Sequence, residues 1–212
     1  MKNLNNESAE TWNKIASLYE SKFMDLDLYN VTYDMFCEAL RSANCKVLEI
    51  GCGPGNIARY LLQQRPELSI LGIDLAPNMI TLAAKNNPSA EFRAMDCRDI
   101  SSLEDKYDGI ICGFCLPYLS EDEMNKLLAN CHDLLSPQGI LYLSFVEGDP
   151  QDSGYKTGSS GDRTYFYFYT IEQIKSALLN NGFESIEAIM VNYPRGEDTI
   201  EEHTILLCRK GG

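Results

Sequence analysis

The sequence predicts an α/β fold in which helices cover both faces of a mostly parallel sheet. Between Lys46 and Val146, apolar segments of strand length alternate with stretches that repeat apolar residues at helical spacing, which is typical of right-handed βαβ units. The first strand ends in a turn with three glycines, a feature of ligand-binding turns in doubly wound sheets. The last two apolar segments follow each other without a helix between them, which indicates an antiparallel pair at one sheet edge.

The first 44 residues predict two amphipathic helices ahead of the sheet. Trp12 and Tyr19 share the apolar face of a helix over Ser8–Phe23, for which Ser8 is a suitable N-cap. A second helix is predicted over about Val31–Arg41. We interpret this pair of helices as a lid over a site at the sheet.

The central part of the chain predicts five strands and the helices between them. Pro77 stands where a first helical turn tolerates proline. In chain order, the predicted elements are strand Lys46–Ile50, a helix through Ile57 and Leu62, strand Ser69–Ile73, a helix from Pro77 to about Ala83, strand Ala90–Ala94, strand Gly109–Cys112, helix Glu121–Leu135 and strand Gly139–Val146.

The last third of the chain has a different pattern. Glu147–Asp162 is rich in Gly, Ser and Asp and predicts a mobile loop. Arg163–Tyr169 alternates Tyr and Phe, and the pattern is equally compatible with a strand that covers the core and with a substrate contact. A helix over Thr170–Asn181 then precedes two strands, Phe183–Val191 and His203–Cys208, joined by a polar turn.

Length and composition restrict the classes of protein. A chain of 212 residues with 44% hydrophobic and 23% charged residues is globular rather than disordered or fibrous. The formal net charge is −13, and the 18 Lys and Arg residues are scattered. Because such a chain repels phosphate groups, we expect neither a nucleic acid nor a membrane as its partner. The sequence leaves open whether the protein is a monomer or a homodimer.

The eight cysteines indicate a reducing compartment. They lie in apolar strands, as Cys208 does, or in the glycine turn, as Cys52 does, and not in a spaced disulfide framework. Cys112 and Cys115 have the spacing of a redox pair, but Cys112 ends a strand instead of beginning a helix. We therefore predict no dithiol chemistry and no metal site. Since Met1–Glu10 also lacks the apolar core of a secretory signal, we expect a cytoplasmic protein.

The turn after the first strand is the strongest functional signal. Glycines at 51, 53 and 55 permit a tight turn and close approach of the backbone to a ligand. A dinucleotide fingerprint would require glycine at position 56, which is Asn56, and a P-loop would require a Gly-Lys-Ser/Thr ending, which is missing. Neither phosphate-binding motif fits.

Acidic residues recur at the ends of three successive predicted strands. Glu49, Asp74 and Asp96 would lie side by side along one edge of a doubly wound sheet. They would repel a pyrophosphate, but they suit a ligand with amino groups, a cis-diol and positive charge. The alternative is that they are turn or helix-dipole carboxylates with a structural role.

These motifs together resemble the class I S-adenosylmethionine-dependent methyltransferases, and the likeness extends over about Trp12–Arg209. The resemblance implies one Rossmann-like domain: an N-terminal helical lid (1–44), a cofactor-binding core (45–146) and a substrate-side segment (147–212). It also implies a seven-stranded sheet of order 3-2-1-4-5-7-6 with the last strand antiparallel. The segments that carry the resemblance are Val47–Gly55 (VLEIGCGPG), Gly72–Leu75 (GIDL), Ala94–Cys97 (AMDC), Tyr107–Ile111 (YDGII) and Leu134–Gly139 (LLSPQG).

The resemblance also implies a role for individual residues in binding S-adenosylmethionine. It places Asp74 on the ribose hydroxyls and Asp96 on the adenine amine. Glu49 would orient the turn, and Tyr19 would close over the sulfonium from the N-terminal helix. The remaining implied cofactor contacts are Gly51, Cys52, Gly53 and Gly55 at the methionine portion, Leu75, Met79 and Cys97 at the adenine, and Gly113 and Phe114 beside the sulfonium.

The implied reaction is in-line transfer of a methyl group to a small-molecule acceptor, for which the protein supplies mainly alignment and desolvation. The catalytic group is unknown, and His203 is interpreted as a strand residue rather than a base. Alternatives are a non-catalytic S-adenosylmethionine-binding protein and, less favoured by the glycine spacing, a nicotinamide-dependent oxidoreductase. The candidates for lining the acceptor pocket are Tyr118, Glu147, Tyr155, Arg163 and Tyr165.

Overall fold

The computed structural model describes residues 4–157, 161–196 and 199–211. Its nine strands form one large sheet and one small ribbon. The strands are β1 Lys46–Ile50, β2 Ser69–Asp74, β3 Glu91–Ala94, β4 Tyr107–Gly113, β5 Leu135–Val146, β6 Gly154–Thr157, β7 Arg163–Phe166, β8 Phe183–Pro194 and β9 Ile200–Lys210.

The large sheet has the order β3-β2-β1-β4-β5-β9-β8. Strands β1 to β5 are parallel, and β9 runs antiparallel to both β5 and β8. Counting only the strands of this sheet, the order is 3-2-1-4-5-7-6, so the predicted fold class is confirmed. The carboxyl ends of β1, β2 and β4 consequently meet at one edge, where a crevice forms beside the strand at which the order reverses.

Helices cover both faces of the sheet. Adjacent β1 residues point to opposite faces: Leu48 packs into a cluster with Leu127 and Leu178, while Val47 packs into another cluster with Phe36. No helix in the described part of the chain is long and apolar enough to cross a lipid bilayer. The helices are α1 Leu4–Lys14, α2 Ala16–Phe23, α3 Asn30–Ala39, α4 Asn56–Gln64, α5 Pro77–Asn86, α6 Glu121–Leu134 and α7 Ile171–Asn180.

The N-terminal segment differs from the prediction in one respect. The single helix predicted over Ser8–Phe23 is two helices that break at Ile15, whose backbone has φ −96° and ψ 11°. Ser8 lies inside α1 and is buried, so it is not an N-cap. The break lets Trp12 of α1 and Tyr19 of α2 pack edge to face, with ring centroids 5.5 Å apart.

The segment predicted as a mobile loop, 147–162, is partly regular, and that prediction was wrong for β6. This strand pairs antiparallel with β7, which belongs to the predicted aromatic strand. The ribbon β6-β7 lies against α1, where Lys14 pairs with Asp162 at 2.9 Å and Glu7 with Arg163 at 2.5 Å. The composition of the segment does not reveal that β6 pairs with β7, and this pairing gives β6 its regular structure.

Candidate active site

The glycine turn after β1 is held against β2 by its own backbone. Gly51, Gly53 and Gly55 have φ of +70°, +52° and +81°, in the left-handed region that glycine adopts without strain. The N–H groups of Gly51 and Cys52 both donate to the Ile73 carbonyl, at 2.8 and 2.9 Å. The turn therefore presents bare backbone at the carboxyl edge of the sheet.

Asp74, at the end of β2, connects this turn to the next helix. Its carboxylate accepts from the Gly53 N–H at 3.0 Å and from the Ala76 N–H at 2.8 Å. Burial raises the pKa of this carboxyl above its ordinary value, although these two bonds act in the opposite direction. Two of the four acceptor positions that a carboxylate offers stay available for a ligand's hydroxyl groups.

Glu49 lies beneath the turn and is almost completely buried. Neither of its carboxylate oxygens has a hydrogen-bond partner among the described residues. Burial raises the pKa of Glu49 to about 8, since the charged form loses its hydration there. Glu49 does not reach a cavity wall, so it acts on the site through the turn above it.

A cleft of about 260 Å³ opens at the carboxyl ends of β1, β2 and β4. Carboxylates at Asp74 and Asp96 lie on its polar side, and apolar side chains such as Leu75 and Met79 form the remainder. Ten of the thirteen predicted cofactor residues line it: Tyr19, Gly51, Gly53, Asp74, Leu75, Met79, Asp96, Cys97, Gly113 and Phe114.

The other three predicted cofactor residues lie elsewhere. Glu49 is beneath the turn, and Cys52 lines the neighbouring cavity instead of the cleft. Gly55 lines neither cavity. It packs against the end of α5, and a Cβ at this position would lie 2.4 Å from Asn87 Nδ2. Its glycine is needed for packing of the α4 N-terminus and not for contact with a ligand.

Asp96 caps the turn after β3, which is the structural role that the sequence left open as the alternative, and it also forms an ion pair with Arg98. Its Oδ1 accepts from the N–H and the Nε of Arg98, both at 2.9 Å, and Arg98 NH1 also pairs with Glu123 at 3.0 Å. Burial alone would raise the pKa of Asp96, but the bonds from Arg98 outweigh it and lower the pKa below its ordinary value. Asp96 is therefore an ionised, oriented acceptor at the cleft wall.

A second, larger cavity adjoins the cleft, and we call it the aromatic cavity. It has a volume of about 580 Å³ and lies between the N-terminal helices, the ribbon β6-β7 and the ends of β8 and β9. Its aromatic lining residues are Trp12, Tyr19, Phe23, Tyr29, Tyr33, Phe114, Tyr118, Phe166, Phe168 and Tyr193. The residues shared with the cleft are Trp12, Tyr19, Gly51, Gly53, Gly113, Phe114 and Tyr118.

The acceptor-pocket candidates separate into two groups. Tyr118 lines both cavities, and burial raises its pKa well above the ordinary value. Glu147, Tyr155, Arg163 and Tyr165 line neither of these two cavities, although Glu147 lines a smaller neighbouring one, and their contact with an acceptor stays a prediction. Arg163 pairs with Glu7 and stacks over Tyr155, while Glu147 accepts from the N–H of Ile171 at 2.9 Å.

The aromatic stretch 163–169 contributes phenylalanines, not tyrosines, to the site. Phe166 and Phe168 line the aromatic cavity. Tyr169 is buried in the core, and its hydroxyl donates to the Leu119 carbonyl. The stretch thus turns one residue toward the core and two toward the cavity, and its contact with a substrate stays a prediction.

Sequence reasoning missed one polar group in the wall of the aromatic cavity. His203 is buried there, with Nδ1 2.6 Å from the Tyr29 hydroxyl and Nε2 2.7 Å from Glu201. Tyr29 precedes α3 and His203 lies in β9, so 174 positions separate them. The spacing of residues along the chain carries no signal for such a pair.

Comparison with known families and proteins agrees with this geometry. A family model described as a methyltransferase domain matches residues 47–139. Putative methyltransferase 235L of Invertebrate iridescent virus 6 is 33% identical over 109 residues, which are 51% of this chain and 39% of that protein. The tRNA N(3)-methylcytidine methyltransferase Mettl2 of Drosophila melanogaster is 26% identical over 163 residues, 68% of this chain and 50% of that protein.

Solved structures share the fold. The complex of DhpI with SAH has a TM-score of 0.71 at 19% identity and covers 100% of this chain and 98% of its own. An S-adenosylmethionine-dependent methyltransferase from Clostridium acetobutylicum has a TM-score of 0.69 at 18% identity. The match covers 95% of this chain and 100% of that protein.

The names of the relatives correct the expectation that nucleic acid is not a partner. Three of them, from fly, mouse and human, are named as tRNA methyltransferases, so the exclusion of nucleic acid as a partner was wrong. Net charge sums over the whole surface and does not decide which acceptor reaches one cavity. The chain spans about two-fifths of the viral relative and half of the fly relative.

Proposed function

We propose that the chain is a class I S-adenosylmethionine-dependent methyltransferase that transfers a methyl group from S-adenosylmethionine to a small molecule bound in the aromatic cavity. One observation carries this proposal: the cleft and the aromatic cavity meet at Gly113, the last residue of β4, and at Phe114 directly after it. A ligand in each would place a donor and an acceptor on either side of that junction.

The donor set of the cleft fits S-adenosylmethionine. Asp74 has free acceptor positions for the ribose hydroxyls, and Leu75 and Met79 offer an apolar surface to the adenine. The carboxylates of Asp74 and Asp96 favour a cationic ligand and disfavour a pyrophosphate. When bound, S-adenosylmethionine supplies a methyl group on a sulfonium. The thioether that this sulfonium becomes is a good leaving group.

The chain's own contribution is alignment and exclusion of water. Trp12 packs edge to face on Tyr19 and Tyr118, with centroids 5.5 and 6.0 Å apart, and all three rings line both cavities. We propose that α1 and α2 form a lid that closes the junction during transfer. The aromatic lining supports a compact, ring-bearing acceptor, because stacked rings gain contact energy beyond their buried area.

Calorimetry tests the cofactor assignment. S-adenosylmethionine and S-adenosylhomocysteine are expected to bind, while NAD is expected not to bind. Binding of NAD alone would support an oxidoreductase and overturn the proposal.

Transfer of a labelled methyl group tests the activity and the acceptor class. The chain is incubated with S-adenosylmethionine and, separately, a metabolite extract, unmodified tRNA or an acyl-carrier protein preparation. We expect label in the metabolite fraction. Label in tRNA would instead assign the acceptor class of the Mettl2 relatives. If no fraction is labelled although the cofactor binds, the non-catalytic alternative is correct.

A further inference from the structure

Tyr29, His203 and Glu201 form a continuous hydrogen-bonded chain at the wall of the aromatic cavity. Tyr29 Oη lies 2.6 Å from His203 Nδ1, and His203 Nε2 lies 2.7 Å from Glu201 Oε2. Glu201 is also held by Arg195, with Nε at 2.9 Å and NH2 at 2.7 Å. All four side chains line the aromatic cavity. None of them was selected as a site residue from the sequence.

The partners determine the direction of these bonds. Burial opposes ionisation of Glu201, but the hydrogen bonds from His203 and Arg195 outweigh it and lower the pKa of this carboxyl. An ionised carboxylate only accepts, so His203 must carry its proton on Nε2. In the neutral imidazole, Nδ1 then has a free lone pair and accepts from the Tyr29 hydroxyl. Burial raises the pKa of Tyr29 far above its ordinary value, which keeps that hydroxyl protonated.

Three rings hold the imidazole in this orientation. Tyr193 stacks on it at 4.8 Å and 6°, Tyr29 is parallel to it at 6.0 Å, and Phe114 meets it edge to face at 5.1 Å. Phe114 lines both cavities, so His203 contacts a ring that also lines the cleft. The side chain of His203 is only 8% exposed. A proton accepted here is thus shielded from bulk water and stays close to the junction.

We propose that Tyr29, His203 and Glu201 form a proton relay that takes the hydroxyl proton of an aromatic acceptor as it is methylated. This inference rests on the proposed function, and it adds the attacked atom: an oxygen that must lose a proton. Tyr29 would be the catalytic residue that touches the acceptor. His203 receives the proton through Tyr29, and Glu201 positions the imidazole.

The step balances in atoms and charge. The acceptor oxygen forms its bond to the methyl carbon as the carbon–sulfur bond breaks, with the bonding pair remaining on sulfur. The acceptor's hydroxyl proton passes to Tyr29 Oη, and the proton of Tyr29 passes to His203 Nδ1. The positive charge that sulfur loses appears on the imidazolium, where the Glu201 carboxylate stabilises it.

The first test reads the tautomer of His203 without any substrate. The chain has two histidines, so His132→Gln, made without a polyhistidine tag and labelled with ¹⁵N-histidine, leaves His203 as the single signal. We expect a protonated Nε2 and an unprotonated Nδ1 at neutral pH. Glu201→Gln in the same background is expected to abolish this preference. A protonated Nδ1, or a spectrum that Glu201→Gln does not change, would overturn the relay.

The second test compares two acceptors of similar shape. 2-Naphthol must lose a proton on methylation, whereas isoquinoline is methylated on a ring nitrogen without losing one. We expect His203→Asn and Tyr29→Phe to lower kcat for 2-naphthol by about 10²-fold or more, with a smaller effect on KM. Isoquinoline transfer is expected to change less than about threefold, and His132→Asn serves as the matched control.

The outcomes separate the relay from the methyltransferase assignment. If S-adenosylhomocysteine does not bind the wild-type chain, the proposed function fails. If it binds and isoquinoline is methylated but 2-naphthol is not, the relay fails. If it binds and neither probe is methylated, the acceptor class stated here is wrong. Equal losses for both probes in His203→Asn would indicate a structural role for His203 and would also overturn the relay.

Discussion

At the scale of single residues, Asp74 and Glu49 show how one edge of the sheet uses two carboxyl groups differently. Asp74 accepts two backbone N–H bonds and faces the cleft, while Glu49 is buried below the turn without a partner among the described residues. Both pKa values are raised by burial. Its two hydrogen bonds orient Asp74 toward the cleft, whereas complete burial makes Glu49 a group that is easily neutralised.

Asp74→Ala is expected to weaken S-adenosylhomocysteine binding by about 1–3 kcal/mol, because a charged hydrogen-bond pair is lost and the Gly53 N–H loses its acceptor. Calorimetry measures the effect. Asp122→Ala, at an exposed position on α6, is the control and should bind normally. Unchanged affinity in Asp74→Ala would remove Asp74 from the binding site.

Glu49 predicts a loss of stability as the pH rises from about 4.5 to about 8. Its folded-state pKa of about 8 lies above its ordinary value of 4.5, so the folded protein holds a proton that the unfolded chain has released. The resulting stability is fully present below about pH 4.5 and is lost as pH rises through about 8. Glu49→Gln, which stays neutral at every pH, should therefore gain stability relative to wild type between pH 5 and pH 9, by a few kcal/mol. Urea unfolding at both pH values checks this, and a pH-independent difference would contradict it.

At the scale of elements, the N-terminal helices and the start of α4 complete the site. Trp12, the only tryptophan of the chain, lines both cavities from α1 and packs edge to face on Tyr118. At the other side of the turn, Gly55 begins α4 in the left-handed region and packs closely on Asn87 of the α5 end. Trp12 allows the role of α1 to be tested, and Gly55 allows the packing at the start of α4 to be tested.

Trp12 makes the lid observable by fluorescence. We expect S-adenosylhomocysteine to shift its emission to the blue, because a ligand in the cleft and closure of α1 exclude water from the indole. The titration should saturate at the calorimetric stoichiometry, and Trp12→Phe should lose the signal. An emission spectrum that saturating ligand does not alter would show that α1 does not cover the bound cofactor.

Gly55→Ala is expected to lower the free energy of unfolding by more than about 1 kcal/mol. Alanine would adopt φ +81° under strain, and its Cβ would meet Asn87 Nδ2 at 2.4 Å and disturb the bond from Asn87 to the Gly55 carbonyl. Gly196→Ala, where no atom lies within 4 Å of the added Cβ, is the matched control. Chemical unfolding of the two variants should differ clearly, and equal stabilities would contradict the assigned packing role.

At the scale of the whole molecule, binding and stability are linked, because the cleft is lined by strands β2 and β4 and helices α1, α2 and α5, which only the folded chain brings together. A ligand that binds the folded state alone stabilises it by about 2.7 kcal/mol at a concentration of 100 Kd. For a chain of this size, that corresponds to a rise in Tm of roughly 5–10 °C. We expect this rise with S-adenosylhomocysteine and none with NAD in a thermal shift experiment. The reverse pattern would contradict the cofactor assignment.

Much of the cleft was predictable because its residues follow strand ends. In a parallel sheet, the residue after each strand arrives at the same edge, so the glycine turn, Asp74 and Phe114 could be placed from sequence order alone. The contact between Asp96 and Arg98 was missed although the two are close in sequence, because the pattern does not show whether a side chain turns toward a ligand or a neighbour. The aromatic cavity was least predictable, since its walls come from both ends of the chain.

The strands and helices of the core and the glycine turn were predictable from sequence, because periodicity and motif spacing are local properties that the backbone translates directly into elements and their ends. The sheet order was predicted only through the resemblance to the methyltransferase family. Which side chains meet across long separations became visible only in the folded chain. Folding brought Tyr29 to His203, ordered the ribbon β6-β7 against α1, and left Tyr155 and Arg163 outside the cavities. Such contacts depend on how elements pack in space, and packing is decided by the sum of many weak contacts that no single segment encodes.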